Sequence, residues 1–89
     1  GIAAIGLTED IRERGEIPGE VDGVVAAAVV SESPADRAGL RRGDVVTVVN
    51  AVAVDSVAGF YAALNEDEGT VTLRVYRDGT VIGLRMPGL

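Results

Sequence analysis

Residues 33–47, Ser-Pro-Ala-Asp-Arg-Ala-Gly-Leu-Arg-Arg-Gly-Asp-Val-Val-Thr, leave the chain few ways to run. Pro34 has a fixed φ and no N–H, which suits the first position of a helix, and Ser33 before it offers a capping hydroxyl. Gly39 supplies the left-handed residue that ends such a helix. The spacing predicts one short helix over 34–38, with Leu40 turned inward behind it. Gly43 allows a second tight turn, and from Asp44 the apolar run closed by Asn50 reads as a buried strand over 44–49.

The rest of the chain divides on the same kinds of signal. Residues 1–7 are apolar enough for a short strand. Thr8 can cap a helix over 9–14, with acidic Glu9 and Asp10 at its start, basic Arg12 and Arg14 near its end, and Gly15 as its stop. Residues 16–22 contain Pro18 and Gly19 and read as a connecting loop, followed by a strand of small and β-branched residues over 23–30. Asp55 or Ser56 can cap a longer helix over 57–64, in which Val57, Phe60, Tyr61 and Leu64 share one broad face. Residues 70–77 and 80–86 alternate as strands around Asp78-Gly79, a strong hairpin signal, and Pro87-Gly88 should end the sheet. Gly59 inside the helix costs about 0.5–1 kcal/mol relative to alanine, so close packing or groove mobility is expected there.

Composition bounds the chemistry. A chain of 89 residues supports one small domain, 1–89, and with 47% hydrophobic but 3% aromatic residues its core must be built of Val, Ala, Leu and Ile. There is no histidine and no cysteine, which removes Ser–His–Asp and Cys–His machinery, disulfides and thiolate-ligated metals from this chain. No catalytic residue and no cofactor is therefore assigned, and the compartment is left open by cysteine usage. The acidic pairs Glu9/Asp10 and Glu32/Asp36 fall at helix ends, where carboxylates serve capping. Glu66, Asp67 and Glu68 cluster but lack the alternating ligands of a calcium loop, so no metal site is expected. The opening Gly1-Ile-Ala-Ala-Ile-Gly6 lacks the Lys-Ser/Thr ending of a phosphate loop. A formal charge of −6 argues against nucleic acid and anionic membrane surfaces as partners. No apolar run approaches the ~20 residues of a membrane span, so no membrane insertion is expected, and no cleavable leader is read. The chain reads as a module whose cellular address is carried elsewhere.

The order "SPA..AGL..GDV...VN" resembles the signature of PDZ domains, specifically those attached to bacterial HtrA/Deg serine proteases. The resemblance spans nearly the whole chain, from the Gly1-Ile2 opening through the Ser33-to-Asn50 segment and the longer helix to the hairpin at Arg77-Asp78-Gly79. It implies an α+β, mainly β fold: a small curled antiparallel sheet of five to six strands capped by two helices. One departure stands out. The family's Asn-Gly after the second motif strand is Asn50-Ala51 here, so that turn should be of another type or strained.

PDZ domains bind an extended peptide, usually a free C-terminus, as an added strand between a sheet edge and the longer helix. In the family a hydrophobic-Gly-hydrophobic loop turns backbone N–H groups toward the peptide carboxylate, and Gly1-Ile2 match its last two positions. Carried over residue by residue, the groove strand matches Ile2, Ala3, Ala4 and Ile5, with Ile2 and Ala4 facing the pocket. Val57 takes the first groove-facing helix position, Tyr61 lies one turn later, Leu64 floors the pocket and Phe60 faces the core. Small Ala4 and aromatic Tyr61 imply a hydrophobic, uncharged pocket.

The resemblance further implies a regulatory peptide-binding role beside a serine protease, in a periplasmic or otherwise extracytoplasmic setting. Expected partners are C-termini or extended hydrophobic segments of proteins, neighbouring protease domains, or the chain's own end, Met86-Pro87-Gly88-Leu89. Membrane-embedded metalloproteases and C-terminal processing proteases carry the same motif, and a scaffold role with an unoccupied groove is the alternative of a different class. The helix phase makes a separable prediction: Phe60→Ala should cost about 3–5 kcal/mol of stability, while Tyr61→Ala should leave the fold intact. Thermal unfolding of the two variants checks it, and the reversed pattern would move the helix phase by one residue.

Overall fold

The turn residues divide the described part of the chain into six strands and three helices. In the computed structural model, which describes residues 2–65 and 69–87, these are β1 (Ile2–Gly6), α1 (Glu9–Gly15), β2 (Val24–Val29), α2 (Pro34–Ala38), β3 (Val45–Val49), β4 (Val52–Ala53), α3 (Val57–Asn65), β5 (Thr70–Arg77) and β6 (Thr80–Pro87). Among the described residues every strand pairing is antiparallel, in the order β1-β2-β3-β5-β6, with β4 added to β3. The mainly β class and the sheet of up to six strands read from the sequence are what the molecule has. Two helices do the capping: α2 buries Ala35 and α3 buries Phe60, Ala63 and Leu64, whereas α1 buries none of its residues.

The caps follow the chemistry of their residues. Ser33 accepts from the Asp36 N–H at the start of α2, and Gly39 closes that helix at φ 102° with its N–H on the Ala35 and Asp36 carbonyls. Asp36 in turn accepts from the Glu32 N–H at 2.8 Å, so the Glu32/Asp36 pair serves the helix start. Thr8 caps α1 through the Ile11 N–H, but the left-handed residue at its end is Glu16, at φ 53°, in place of the expected Gly15. Beyond it Arg12 donates to the carbonyls of Pro18 (3.0 Å) and Val21, which holds the loop between α1 and β2 in shape. Ser56 caps α3, accepting from the Gly59 N–H at 3.0 Å.

The core is aliphatic, as the composition requires. On β5 the side chains of Val71, Leu73 and Val75 are buried while Thr70, Thr72 and Arg74 are exposed, the alternation of a sheet covered on one face. Val24 and Ala26 of β2, Val46 and Val49 of β3 and Met86 of β6 join them, and Leu40 and Phe60 plug the space beneath α2 and α3. Phe60 is wholly buried and Tyr61 is 36% exposed, the phase expected for this helix. Backbone closeness also selects glycine at one point. A Cβ on Gly23 would lie 2.1 Å from the Val46 carbonyl oxygen, so any side chain there would push β2 off β3.

One charged interaction lies within this packing. Asp44 is 2% exposed. It receives Arg77 in a two-pronged contact, Nε to Oδ1 at 2.7 Å and Nη2 to Oδ2, and accepts from the Arg41 N–H at 2.9 Å. Arg77 Nη2 also donates to the Gly39 carbonyl at 2.7 Å. The hydrogen bond to Asp44 raises the Arg77 pKa above its ordinary value, opposed by partial burial and helped by the charges of Asp44 and Asp78. A folded value above the unfolded one means that the stabilisation is complete below the ordinary arginine pKa. It is lost only as pH rises through the raised value, in strong alkali.

The β3–β4 hairpin turns on Asn50 and Ala51, both left-handed at φ 48° and 66°. That is the geometry of a primed turn, with alanine standing where glycine is strain-free, so the turn is strained as the departure from Asn-Gly implied. The short β4 had no sequence signal of its own.

Two stability predictions follow from this packing. Asp44→Ala leaves Arg77 half-buried without its partner and should cost about 3–5 kcal/mol, seen by calorimetry as a fall in Tm of at least about 12 °C. Ala51→Gly relieves a conformation worth about 1–2 kcal/mol at an unfolded-state entropy cost of about 0.4–1 kcal/mol. It should therefore raise Tm by a few degrees, and a lowered Tm would show that the turn is unstrained.

Candidate functional site

The path of five paired strands ends at β1 and at β6, and the molecule treats these two edges differently. At one edge β6 lies against α2 and runs out at Pro87, which has no N–H to offer. At the other edge β1 pairs with β2 on one side and faces α3 on the other. A register shift between Ala3 and Ala4 bends this pairing, which runs Ile2 to Val29, Ala3 to Ala28 and Ala4 to Ala26.

Ile2 and Ala4 are half-buried and pack against the core, as does Val57 at the start of α3. Leu64 is buried beneath them in the core. Tyr61, one turn after Val57, reaches across to β1. Its hydroxyl donates to the Ile2 carbonyl at 2.9 Å and accepts from the Ala4 N–H at 3.0 Å. The Tyr61 ring stands edge-on to Phe60, with centroids 5.3 Å apart and planes at 60°. Strand β1 thus turns the Ile2 carbonyl and the Ala4 N–H toward α3. Ala3 and Ile5 alternate with them: their side chains lie on the exposed face, and 43% of Ile5 is open to solvent.

Of the positions named from the sequence, the molecule brings Ile2, Ala4, Val57, Tyr61 and Leu64 to one side of the β1–α3 junction. Ala3 and Ile5 border it through the strand backbone, and Gly1 lies outside the described residues. The expectation for this wall was an apolar, uncharged surface. Its side chains are uncharged, but Tyr61 contributes a polar group as well as a ring, and no local pattern signals a hydrogen bond between residues 57 and 59 positions apart. At Gly59 an added Cβ would crowd the Ser56 hydroxyl at 3.0 Å, which places the tight spot at the helix cap and away from the groove wall.

Other parts of the surface carry less. A shallow hollow of about 670 Å³ lies on the outer face of β3, β5 and β6, between Val48, Thr72, Arg74, Gly83 and Arg85. The backbone of β5 beneath it is paired on both sides. Glu9 and Asp10 approach Arg12 and Arg14 at 3.8 and 3.2 Å along α1, ordinary ion pairs of a solvated helix. Among the described residues no group of three or more acidic side chains is arranged to hold a metal. The Glu66–Glu68 cluster and the Gly88-Leu89 tail lie outside them. No helix among the described residues is long and apolar enough to cross a membrane.

A small antiparallel sheet with an outer strand set beside a helix is the fold of a recognisable class of domain, and the PDZ domain family model matches residues 3–86. The chain belongs to the PDZ domain family. Its likenesses run to the HtrA-type proteases. It is 38% identical over 65 residues to a probable periplasmic DegP-like serine endoprotease of Chlamydia pneumoniae, a match over 71% of this chain and 13% of that protein. Among solved structures, the HtrA3 PDZ domain bound to the phage-derived ligand FGRWV superposes with a TM-score of 0.85, over 100% of this chain and 82% of that one, at 20% identity, a likeness of fold. The HtrA-type protease AlgW with a decapeptide superposes with a TM-score of 0.80 at 26% identity, over 98% of this chain and 27% of that one.

Proposed function

We propose that the space between β1 and α3 receives an extended peptide as an added strand, and that residues 1–89 act as the peptide-recognising unit of an HtrA-like serine protease. The observation that carries this reading is the edge of β1: the Ile2 carbonyl and Ala4 N–H face α3 and are met by a side-chain hydroxyl instead of a further strand. Backbone groups of this kind bind peptides of many sequences. The wall of Ile2, Ala4, Val57 and Tyr61 supplies the preference for apolar side chains. The peptide-bound HtrA3 and AlgW structures support it, the first with a ligand ending in valine. In this reading Gly1 and Ile2 hold the peptide carboxylate, Ala3 and Ile5 carry the strand backbone, and Leu64 closes the floor. The chain itself performs no chemistry. Catalysis belongs to another part of an extracytoplasmic parent, as the periplasmic name of the Chlamydia relative supports.

Peptides ending in Val, Leu, Ile or Phe should bind with micromolar to several-hundred-micromolar Kd, the weak range of a short ligand that must be ordered on binding. They should bind more tightly as free acids than as C-terminal amides. Calorimetry measures the difference, and NMR titration should shift the Ile2, Ala4 and Val57 amides while sparing Arg74 and Arg85 on the outer face. Equal affinities for acid and amide would make internal segments the ligands. The absence of saturable binding would leave a scaffold role in which the domain packs against its neighbours with the groove empty.

A further inference from the structure

Tyr61 stands where an added strand must bond. One phenolic oxygen donates to the Ile2 carbonyl at 2.9 Å and accepts from the Ala4 N–H at 3.0 Å, so it makes the two bonds that an N–H and a C=O of a neighbouring strand would make. Any strand laid along this stretch of β1 needs the same carbonyl and the same N–H, and the single Ala4 hydrogen cannot serve the hydroxyl and a strand carbonyl at full strength together. Tyr61 also sits well for leaving. Its side chain is on the rim at 36% exposure, while the adjacent Phe60 carries the core packing of the helix turn. A swing of the Tyr61 ring to another staggered rotamer uncovers β1 without opening the core.

We infer that Tyr61 is a built-in stand-in for the ligand strand: it holds the β1 edge closed in the free protein and is displaced when a peptide binds. The inference rests on the reading of the β1–α3 space as the peptide groove. The hydroxyl, and not the ring, is the competing group. The latch lowers apparent affinity by the fraction of molecules in which it is closed, and it keeps a bare sheet edge from pairing with other chains.

The experiment compares the 89-residue chain with Tyr61→Phe, which keeps the ring and removes the hydroxyl, using FGRWV as the probe peptide. In the free protein the Ala4 amide should exchange with solvent roughly tenfold faster in Tyr61→Phe, and FGRWV should bind that variant roughly five- to tenfold more tightly than wild type, the scale of one or two modest hydrogen bonds. Unchanged Ala4 exchange overturns the latch whatever the peptide does. A freed Ala4 amide with unchanged or weakened FGRWV binding overturns the competition while leaving the groove reading in place. A freed Ala4 amide with no binding to either protein overturns the groove reading, and displacement with it. Within wild type, saturating FGRWV should shift the Tyr61 ring resonances while the Ala4 amide stays protected, because the peptide takes over its bond. A ring unmoved at saturation overturns displacement even if Tyr61→Phe fails to fold.

Discussion

The Asp44 carboxylate is the point on which several distant pieces of this chain agree. It lies at the head of β3, the central strand, and is almost wholly removed from water, so it must be matched or the fold would carry a bare buried charge. The match comes from Arg77 at the far end of β5, from the Arg41 N–H in the turn, and through Arg77 from the Gly39 carbonyl at the end of α2. Two stretches far apart in sequence, residues 39–44 and the end of β5 at Arg77, thus meet on one ion pair. Because both charges have fixed forked geometry, the turn after α2 has one position relative to β5, and α2 is delivered against β6.

With that corner fixed, a core poor in aromatic rings can still define a unique arrangement. Valines and alanines pack closely but differ little in shape, so they place a helix on a sheet less decisively than one large side chain does. Phe60 is that side chain. Its complete burial sets the rotation of α3, and the same rotation puts Val57 and Tyr61 on the side facing β1. The geometry of the candidate groove is in this sense a by-product of core packing. The residue that seats the helix and the residue that meets the strand edge are adjacent in sequence and opposite in role.

Features legible from the sequence were those whose cause is local. Ser33, Pro34 and Gly39 act within one helical turn, and Asp78-Gly79 acts within one hairpin, so their outcome depends on little beyond themselves. The alternation of β5 and the phase of α3 were readable for a similar reason: each is a repeated preference of one element for one face. The failures have longer causes. Glu16 takes the left-handed position past α1 with Arg12 tying down the loop behind it, and so relieves Gly15 of a role that its type invited. The strand β4 exists because Asn50 and Ala51 both turn left-handed, which Ala51 resists by itself. The bonds that matter most to the candidate site join Tyr61 to Ile2 and Ala4 across most of the chain, and tyrosine in a helix carries no mark that distinguishes a strand-capping hydroxyl from a ring that merely packs.

If β1 is the peptide-accepting edge proposed above, it cannot be blunted by the usual means. A proline or a bulge that closed β1 permanently would remove the bonds a peptide needs, and a charge among Ile2, Ala4 and Val57 would repel apolar side chains. A side-chain hydroxyl on the facing helix meets both demands. It bonds both the Ile2 carbonyl and the Ala4 N–H, and it is tethered by rotatable side-chain bonds, so its displacement would require no change in the backbone. At the far side of the sheet β6 lies against α2 and ends on Pro87, which has no N–H to leave unpaired. The two edges therefore differ in kind: one lies against a helix and ends on proline, while β1 is met by a single side-chain contact bordered by an apolar surface.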